Sequence, residues 1–322
     1  MLAAYAARTD ADDPLSALEI GDRPEPEPRD GWTVVDVRAA SLNHHDIWSL
    51  RGVGLPEDRL PMILGCDAAG LDEEGNEVIV HSVIATDGWR GDETLDPKRS
   101  LLSELYQGTF AERVAVPRRN LVPKPEGLSF AEAACLPTAW LTAYRMLFVR
   151  AGVAPGQTVL IQGAAGGVAT AAIALGSHAG LRVWVTSRDE AKRAAAEELG
   201  AHAAFPTGER LPERVDAVIE TVGDATWKHS LRSLKPGGTL VVAGATSGFD
   251  PPSELQRVFF LQLRVVGSTM GTRNELEQLA RLLDTSGVRP LIDRELPLAD
   301  AREGFAAMAS GELVGKVVFS VS

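Results

Sequence analysis

Val159-Leu-Ile-Gln-Gly163-Ala164-Ala165-Gly166-Gly167-Val168-Ala169 is the stretch whose reading decides the fold. Thr158–Gln162 reads as a buried strand and 166–179 as the helix that follows it. The first amides of a helix have no partner within it, and the helix dipole adds partial positive charge there. A diphosphate is therefore the natural occupant of such a turn. Gly166 has no Cβ to hold the backbone away from that diphosphate, and Ala169 is small enough for the helix to pack closely on its strand. Ala164 stands where the usual glycine fingerprint has its first glycine.

Reading outward, the pattern repeats. Arg182–Thr186 is a second strand, 189–199 a second helix, and 216–220, 239–243 and 264–267 continue as apolar β-type runs. Continuous apolar strands separated by helices predict a parallel sheet covered on both faces, a doubly wound α/β unit. The second strand ends at Ser187-Arg188, with Lys192 one helical turn on. A hydroxyl, a guanidinium and an ammonium suit a ribose 2′-phosphate, so the expected cofactor is NADP(H); the competing reading lets Asp189 take the ribose.

Before this unit the texture differs. Residues 1–125 hold short β-type runs such as 32–38, 77–81 and 112–116, broken by Pro, Asp and Gly turns, and they predict a β-rich, barrel-like unit. Residues 87–107 are polar and without period, a long excursion or lobe. Residues 128–149 are Ala-rich and read as helix. After residue 270 come helices near 275–285 and 298–308 and a closing strand, Lys316–Ser320. The expected organisation is a substrate domain of 1–125 with 270–322, and a dinucleotide-binding domain of 126–269.

Composition limits the rest. The chain has 322 residues, enough for two cores. Its 32 Lys and Arg against 44 Asp and Glu give a net charge of −12, which repels nucleic acid and anionic lipid. Two cysteines, Cys66 and Cys135, make neither a disulfide framework nor a four-thiolate zinc site. The N-terminus lacks a basic region before its apolar residues, and no apolar run reaches the roughly 18 residues of a membrane span. A cytoplasmic location without membrane or nucleic-acid partners is expected.

Several further motifs carry a family resemblance. In order they are Asn43-His44-His45-Asp46, Gly65-Cys66-Asp67-Ala-Ala-Gly70, Gly108-Thr-Phe-Ala-Glu112, Pro137-Thr138-Ala-Trp-Leu-Thr142, the glycine turn, Lys235-Pro-Gly-Gly238, Gly244-Ala-Thr246, Phe259-Phe260 and Gly315-Lys316. In this order and spacing, over nearly the whole chain, they resemble the medium-chain dehydrogenase/reductases, in the zinc-independent quinone-oxidoreductase and enoyl-reductase branch. The resemblance implies a GroES-like domain built from both chain ends, a Rossmann domain between them, and a nicotinamide in the cleft.

Zinc-dependent members place Cys, His, Glu and Cys where this chain has Asn43, Cys66, Asp67 and Thr138, and the lobe that would hold a structural zinc has no cysteine. No metal is expected. Without a Lewis acid the easier reaction is hydride transfer to a conjugated acceptor, a flat or apolar quinone or α,β-unsaturated carbonyl. The resemblance makes Asn43, His45, Asp46 and Thr142 the catalytic candidates. Asn43 would donate to the carbonyl oxygen and His45 would serve as a proton source beside solvent. For the cofactor it implies His44, Thr142, Gly163, Ala164, Gly166, Gly167, Val168, Ser187, Arg188, Lys192, Val222, Gly244, Ala245, Thr246, Phe259, Phe260, Ser268 and Lys316. Trp48, Trp89 and Trp140 are candidates to line an apolar substrate site, and Arg118, Arg119 and Arg257 to meet a coenzyme A phosphate. A homodimer joined through the strand 264–267 is expected. Two alternatives remain open at this level: a zinc alcohol dehydrogenase, and a non-enzymatic NADPH-binding protein.

Overall fold

In a computed structural model, which describes residues 1–321, the apolar runs of the central segment form a six-stranded parallel sheet. Its order is Ala203–Phe205, Arg182–Thr186, Thr158–Gln162, Val215–Glu220, Leu234–Val242 and Arg264–Gly267. The chain starts in the middle, winds outward one way, then returns and winds the other. The crevice at the strands' carboxyl ends, where direction reverses, is where such sheets bind ligands. Thr158–Gln162 is buried along its whole length, as a strand covered on both faces must be.

The chain divides into two compact units, 1–139 with 271–322 and 140–270. The first boundary lies at Ala139 rather than at 125, because the short helix Phe130–Ala134 packs on the strands Trp32–Ser41 and Asp67–Leu71 of the first unit. The expected helix over 128–149 is interrupted. Two π-helical stretches, Leu136–Trp140 and Arg145–Ala151, flank a single α turn, Leu141–Tyr144. Pro137 lacks the N–H that a regular helix would use in the first of them.

In the first unit a seven-stranded sheet is centred on Trp32–Ser41, which pairs with Asp67–Leu71, Arg113–Pro117 and Lys316–Ser320. The C-terminal strand therefore closes on an N-terminal one, which is why both chain ends are needed for one core. The register shifts between Val37 and Ala39, and beyond that point Ala39, Ala40 and Ser41 are all buried. Gly70 is required opposite, since a Cβ there would fall 2.1 Å from Asp36 O. The core includes Phe110, Phe305 and Phe319; Phe110 meets both of the others edge-on, while Phe305 and Phe319 stack at 6.3 Å. Leu2–Ala6 pairs with Leu18–Asp22 and Met62–Ile63 in a three-stranded sheet. No helix among the described residues is long and apolar enough to cross a membrane.

Candidate active site

In the second unit, the strand Thr158–Gln162 runs into Gly163, whose φ of +85° is one that side chains disfavour, and then into the helix Gly167–His178. Open space surrounds the position a Cβ would take at Gly166, so a diphosphate can approach its backbone. Ala164 and Ala165 are buried, and the side chain of Val222 lies 3.7 Å from where a Cβ on Gly163 would be. Val222, Gly244–Thr246 and Ser268 follow the carboxyl ends of three further strands, so the fold gathers them along the edge that carries the glycine turn.

Two buried side chains that the sequence reading missed hold this edge in shape. Glu220 ends its strand with Oε1 accepting from Val222 N at 2.8 Å and Gly223 N at 3.1 Å, and with Oε2 accepting from Ser230 at 2.6 Å. Gln162 accepts from Thr186 at 2.5 Å and donates to Ser230 at 2.9 Å. The only signal in the sequence is that each is polar at the end of an apolar strand.

At the end of Arg182–Thr186 a cavity of about 500 Å³ is lined by Ser187, Arg188, Asp189 and Lys192. The Asp189 carboxylate caps the helix Glu190–Glu198 by accepting from Lys192 N at 3.2 Å. That role engages it locally, while Arg188 is exposed. These residues fit a nucleotide carrying a 2′-phosphate. Phe259 and Phe260 do not join them. Their helix, Leu255–Phe260, ends where Leu261 O accepts from Gly237 N, near the amino-terminal start of the strand Leu234–Val242, and both rings are exposed.

The first unit holds a second polar cluster, deeply buried. Asn43 Nδ2 donates to Asp67 Oδ2 at 2.8 Å and to Ser41 O at 3.2 Å, while its Oδ1 accepts from Lys316 Nζ at 2.7 Å. Both amide hydrogens are thus spent, and Asn43 has none left for a substrate oxygen, contrary to the role expected of it. Lys316 is 2 % exposed; it also donates to Leu42 O at 2.7 Å and lies 3.7 Å from Asp67 Oδ2, so its ammonium is committed inside the unit rather than offered to a cofactor. Asp67 further accepts from Thr138 at 2.5 Å and Ser41 at 3.1 Å. Burial raises the Asp67 pKa, and Lys316 is the chief influence opposing it.

Asp46 is also structural. Its two oxygens accept from Asn43 N at 2.8 Å and Gly65 N at 3.0 Å, fixing the start of the helix His44–Leu50 against the next loop. Full burial pushes its pKa up to about 7. His44, one residue into that helix, is exposed. His45 is half-buried, and burial pushes its imidazole down to about 4; its Nε2 is buried and makes no hydrogen bond. Thr142 is buried on the α turn Leu141–Tyr144. Trp140, considered above for a substrate site, is a core residue at 1 % exposure.

A zinc ion does not fit here. The four positions offer an amide, a thiol, a carboxylate and a hydroxyl, with an ammonium already among them. The Cys66 thiol points to Leu102 O at 3.2 Å, and burial raises it well above the usual thiol range, away from the thiolate a metal needs. No group of three or more His, Cys, Asp or Glu among the described residues converges on a point.

Comparison with known proteins gives a consistent picture. The family model of the alcohol dehydrogenase GroES-like domain matches residues 29–126, and that of the zinc-binding dehydrogenase matches 167–285. Acryloyl-coenzyme A reductase of Sulfurisphaera tokodaii is 28 % identical over 327 residues, covering 95 % of this chain and 97 % of that protein. The crystal structure of an NAD-dependent alcohol dehydrogenase superposes with a TM-score of 0.91 at 32 % identity, over 100 % of both chains. The 2-octenoyl-CoA carboxylase reductase CinF, solved with NADP and 2-octenoyl-CoA, superposes at 0.91 with 25 % identity, over 99 % of this chain and 87 % of that one.

Proposed function

The chain belongs to the medium-chain dehydrogenase/reductase superfamily, and on that premise we propose that it is an NADPH-dependent reductase of α,β-unsaturated carbonyl compounds that works without a metal. Enoyl thioesters are the first substrates to test, with quinones as the alternative acceptors. The observation that carries this reading is the buried Asn43–Asp67–Thr138–Lys316 network. Within it Asn43 and Thr138, two of the positions expected to carry ligands in zinc-dependent members, are tied by hydrogen bonds to Asp67 and Lys316. A simple alcohol needs its developing alkoxide stabilised by a Lewis acid, whereas a conjugated acceptor spreads the charge itself. Supporting the same reading, one relative is named for acryloyl-CoA reduction and one solved neighbour holds NADP with an enoyl-CoA.

The nicotinamide supplies the hydride when bound; the chain binds and orients it. The glycine turn and the N-terminus of the helix Gly167–His178 meet the diphosphate through backbone N–H groups. Ser187, Arg188 and Lys192 face the adenosine end and favour a 2′-phosphate there. The network of Glu220 and Gln162 keeps the neighbouring loops from collapsing into that space.

We also propose a homodimer joined through the edge strand Arg264–Gly267, whose only partner in the sheet among the described residues is Leu234–Val242. Val265 on this strand and Phe249, Leu255, Phe259 and Phe260 in the same unit are large apolar side chains left exposed. Such an edge is a template for pairing with a second copy.

The deciding experiment follows loss of the reduced nicotinamide with a short enoyl thioester, a simple enone and a quinone, in parallel with alcohol oxidation, each with and without a chelator. Turnover of a conjugated acceptor that prefers NADPH and ignores the chelator is expected. Alcohol oxidation abolished by the chelator and restored by zinc would overturn the reading.

A further inference from the structure

We propose that Glu104 stores the proton used in the reaction and that His45 relays it, taking it at Nε2 and releasing it at Nδ1 to the acceptor. The inference rests on the reductase reading above and assigns Glu104 a part that the sequence did not suggest. Glu104 lies in the polar lobe, yet its Oε1 sits 3.9 Å from His45 Nε2. That nitrogen is buried and without a hydrogen-bond partner. An orphaned ring nitrogen inside a protein is costly unless something meets it during function. A side-chain rotation of about 1 Å brings the carboxyl into hydrogen-bond range.

The carboxyl is held for this purpose. Its Oε2 accepts from Leu101 N at 3.1 Å. The preceding residue, Ser103, is fully buried at a φ of +68°, donates its N–H to Tyr106 O at 2.9 Å and approaches Cys66 Sγ at 3.7 Å. A non-glycine residue in the left-handed region persists only where its surroundings enforce it, and here they fix the turn that aims Glu104. The Glu104 side chain is 28 % exposed, while the 18 % exposure of the His45 side chain lies on atoms other than Nε2.

The electrostatics agree. Burial raises the Glu104 carboxyl, opposed by its bond from Leu101 N and by Arg99, while burial lowers the imidazole. Burial thus disfavours the charged form of both partners, which suits exchange of a proton between a neutral ring and a carboxyl. Asp46, on the same helix as His45, has both oxygens engaged by Asn43 N and Gly65 N.

The transfer balances. The Glu104 O–H bond breaks as an N–H bond forms at His45 Nε2, and the N–H bond at Nδ1 breaks as the acceptor gains a proton. The acceptor's other new hydrogen arrives with an electron pair, as hydride from the reduced nicotinamide. The acceptor is reduced by two electrons and the nicotinamide is oxidised. The protein is left with a Glu104 carboxylate and a neutral His45 in its other tautomer; a solvent proton taken up at Nδ1, with the Nε2 proton returning to the Glu104 carboxylate, resets the pair.

Glu104→Gln keeps the shape and the bond from Leu101 N but removes the proton. Two readouts test it, with cofactor affinity as the control for folding. By nitrogen NMR, the His45 ring signals of the wild type should show an inflection at the pH where Glu104 ionises, and Glu104→Gln should abolish it. In turnover of an enone, Glu104→Gln should lower kcat on the order of 10²-fold with little change in KM, and should remove the alkaline fall in kcat seen in the wild type. Glu104→Asp should keep the inflection with an intermediate rate. Wild-type kcat and pH profile in Glu104→Gln, or His45 signals indifferent to the substitution, would overturn the proposal. If the wild-type protein reduces no conjugated acceptor, the reductase reading fails, whereas the NMR inflection still decides whether the two side chains are coupled.

Discussion

Lys316 places its ammonium 2.7 Å from both Asn43 Oδ1 and Leu42 O and 3.7 Å from the Asp67 carboxylate, all out of contact with water. Removing one partner of a buried ion pair strands the other, at about 3–5 kcal/mol. Lys316→Met should lower stability by that order, and Lys316→Met with Asp67→Asn should recover a large part of it; equal loss in the single and double variants, measured by urea unfolding, would argue against a coupled pair. His45 gives a second expectation. Its native pKa of about 4 lies below the 6.5 of an unfolded imidazole, so between those values the unfolded chain takes up a proton that the native one refuses. This contribution is present above about pH 6.5 and is lost as pH falls toward 4. Asp46, raised to about 7 by burial, binds a proton in the native state over the same window and opposes this slope, so the test is the difference between proteins: as pH falls from about 6.5 toward 4, the thermal midpoint of His45→Gln should fall less, or rise more, than that of the wild type. A remaining slope is expected from His81, which is buried and lowered for the same reason.

Among the elements, the strand–turn–helix unit at 158–178 was legible because its parts agree: a buried apolar strand, a glycine at positive φ and a small-residue helix face. The following strand was legible too, and its end carries the specificity expectation. Ser187→Asp with Arg188→Ala should shift preference from NADPH toward NADH, raising the KM for NADPH by about 10–100-fold, since each charge-assisted bond to the phosphate is worth roughly 1.5–3 kcal/mol. An unchanged preference for the two nucleotides would remove the assignment. The region over 128–149 was less legible. Its composition favours helix, but composition says nothing of the register change around Pro137, where the missing N–H breaks the regular helical ladder. The strand Ile292–Pro297 went unread for a related reason. It alternates half-buried and exposed positions and contains Asp293, Arg294 and Glu295, so its apolar signal is weak until the parallel neighbour Lys316–Ser320 is in place.

For the whole molecule, the edge strand Arg264–Gly267 leads to a test of assembly. Val265→Lys sets a charge on the edge of each copy and should shift the protein from dimer to monomer in sedimentation at micromolar concentration without disturbing the fold. A wild-type monomer would refute the proposed edge. Metal analysis belongs at this scale as well. After incubation with excess zinc and dialysis, the wild-type protein should retain far less than one equivalent, because no set of three or more His, Cys, Asp or Glu converges on a point among the described residues.

The sequence by itself determined the doubly wound sheet, its glycine turn and the substitution of the zinc ligands, because these are written in local order: strand beside turn beside helix, and residue type at each motif position. It could not determine what Asn43, Asp46 and Lys316 do there. That depended on contacts between residues far apart in the chain. Lys316 reaches Asn43 only because the C-terminal strand pairs with Trp32–Ser41, and the hydrogen bonds it makes use up the donors that the motif alone left open. Glu104 likewise meets His45 only when the lobe has folded back over the helix. The tertiary structure decided which polar groups are satisfied internally and which remain free to act, since satisfaction is a property of neighbours in space and not of neighbours in sequence.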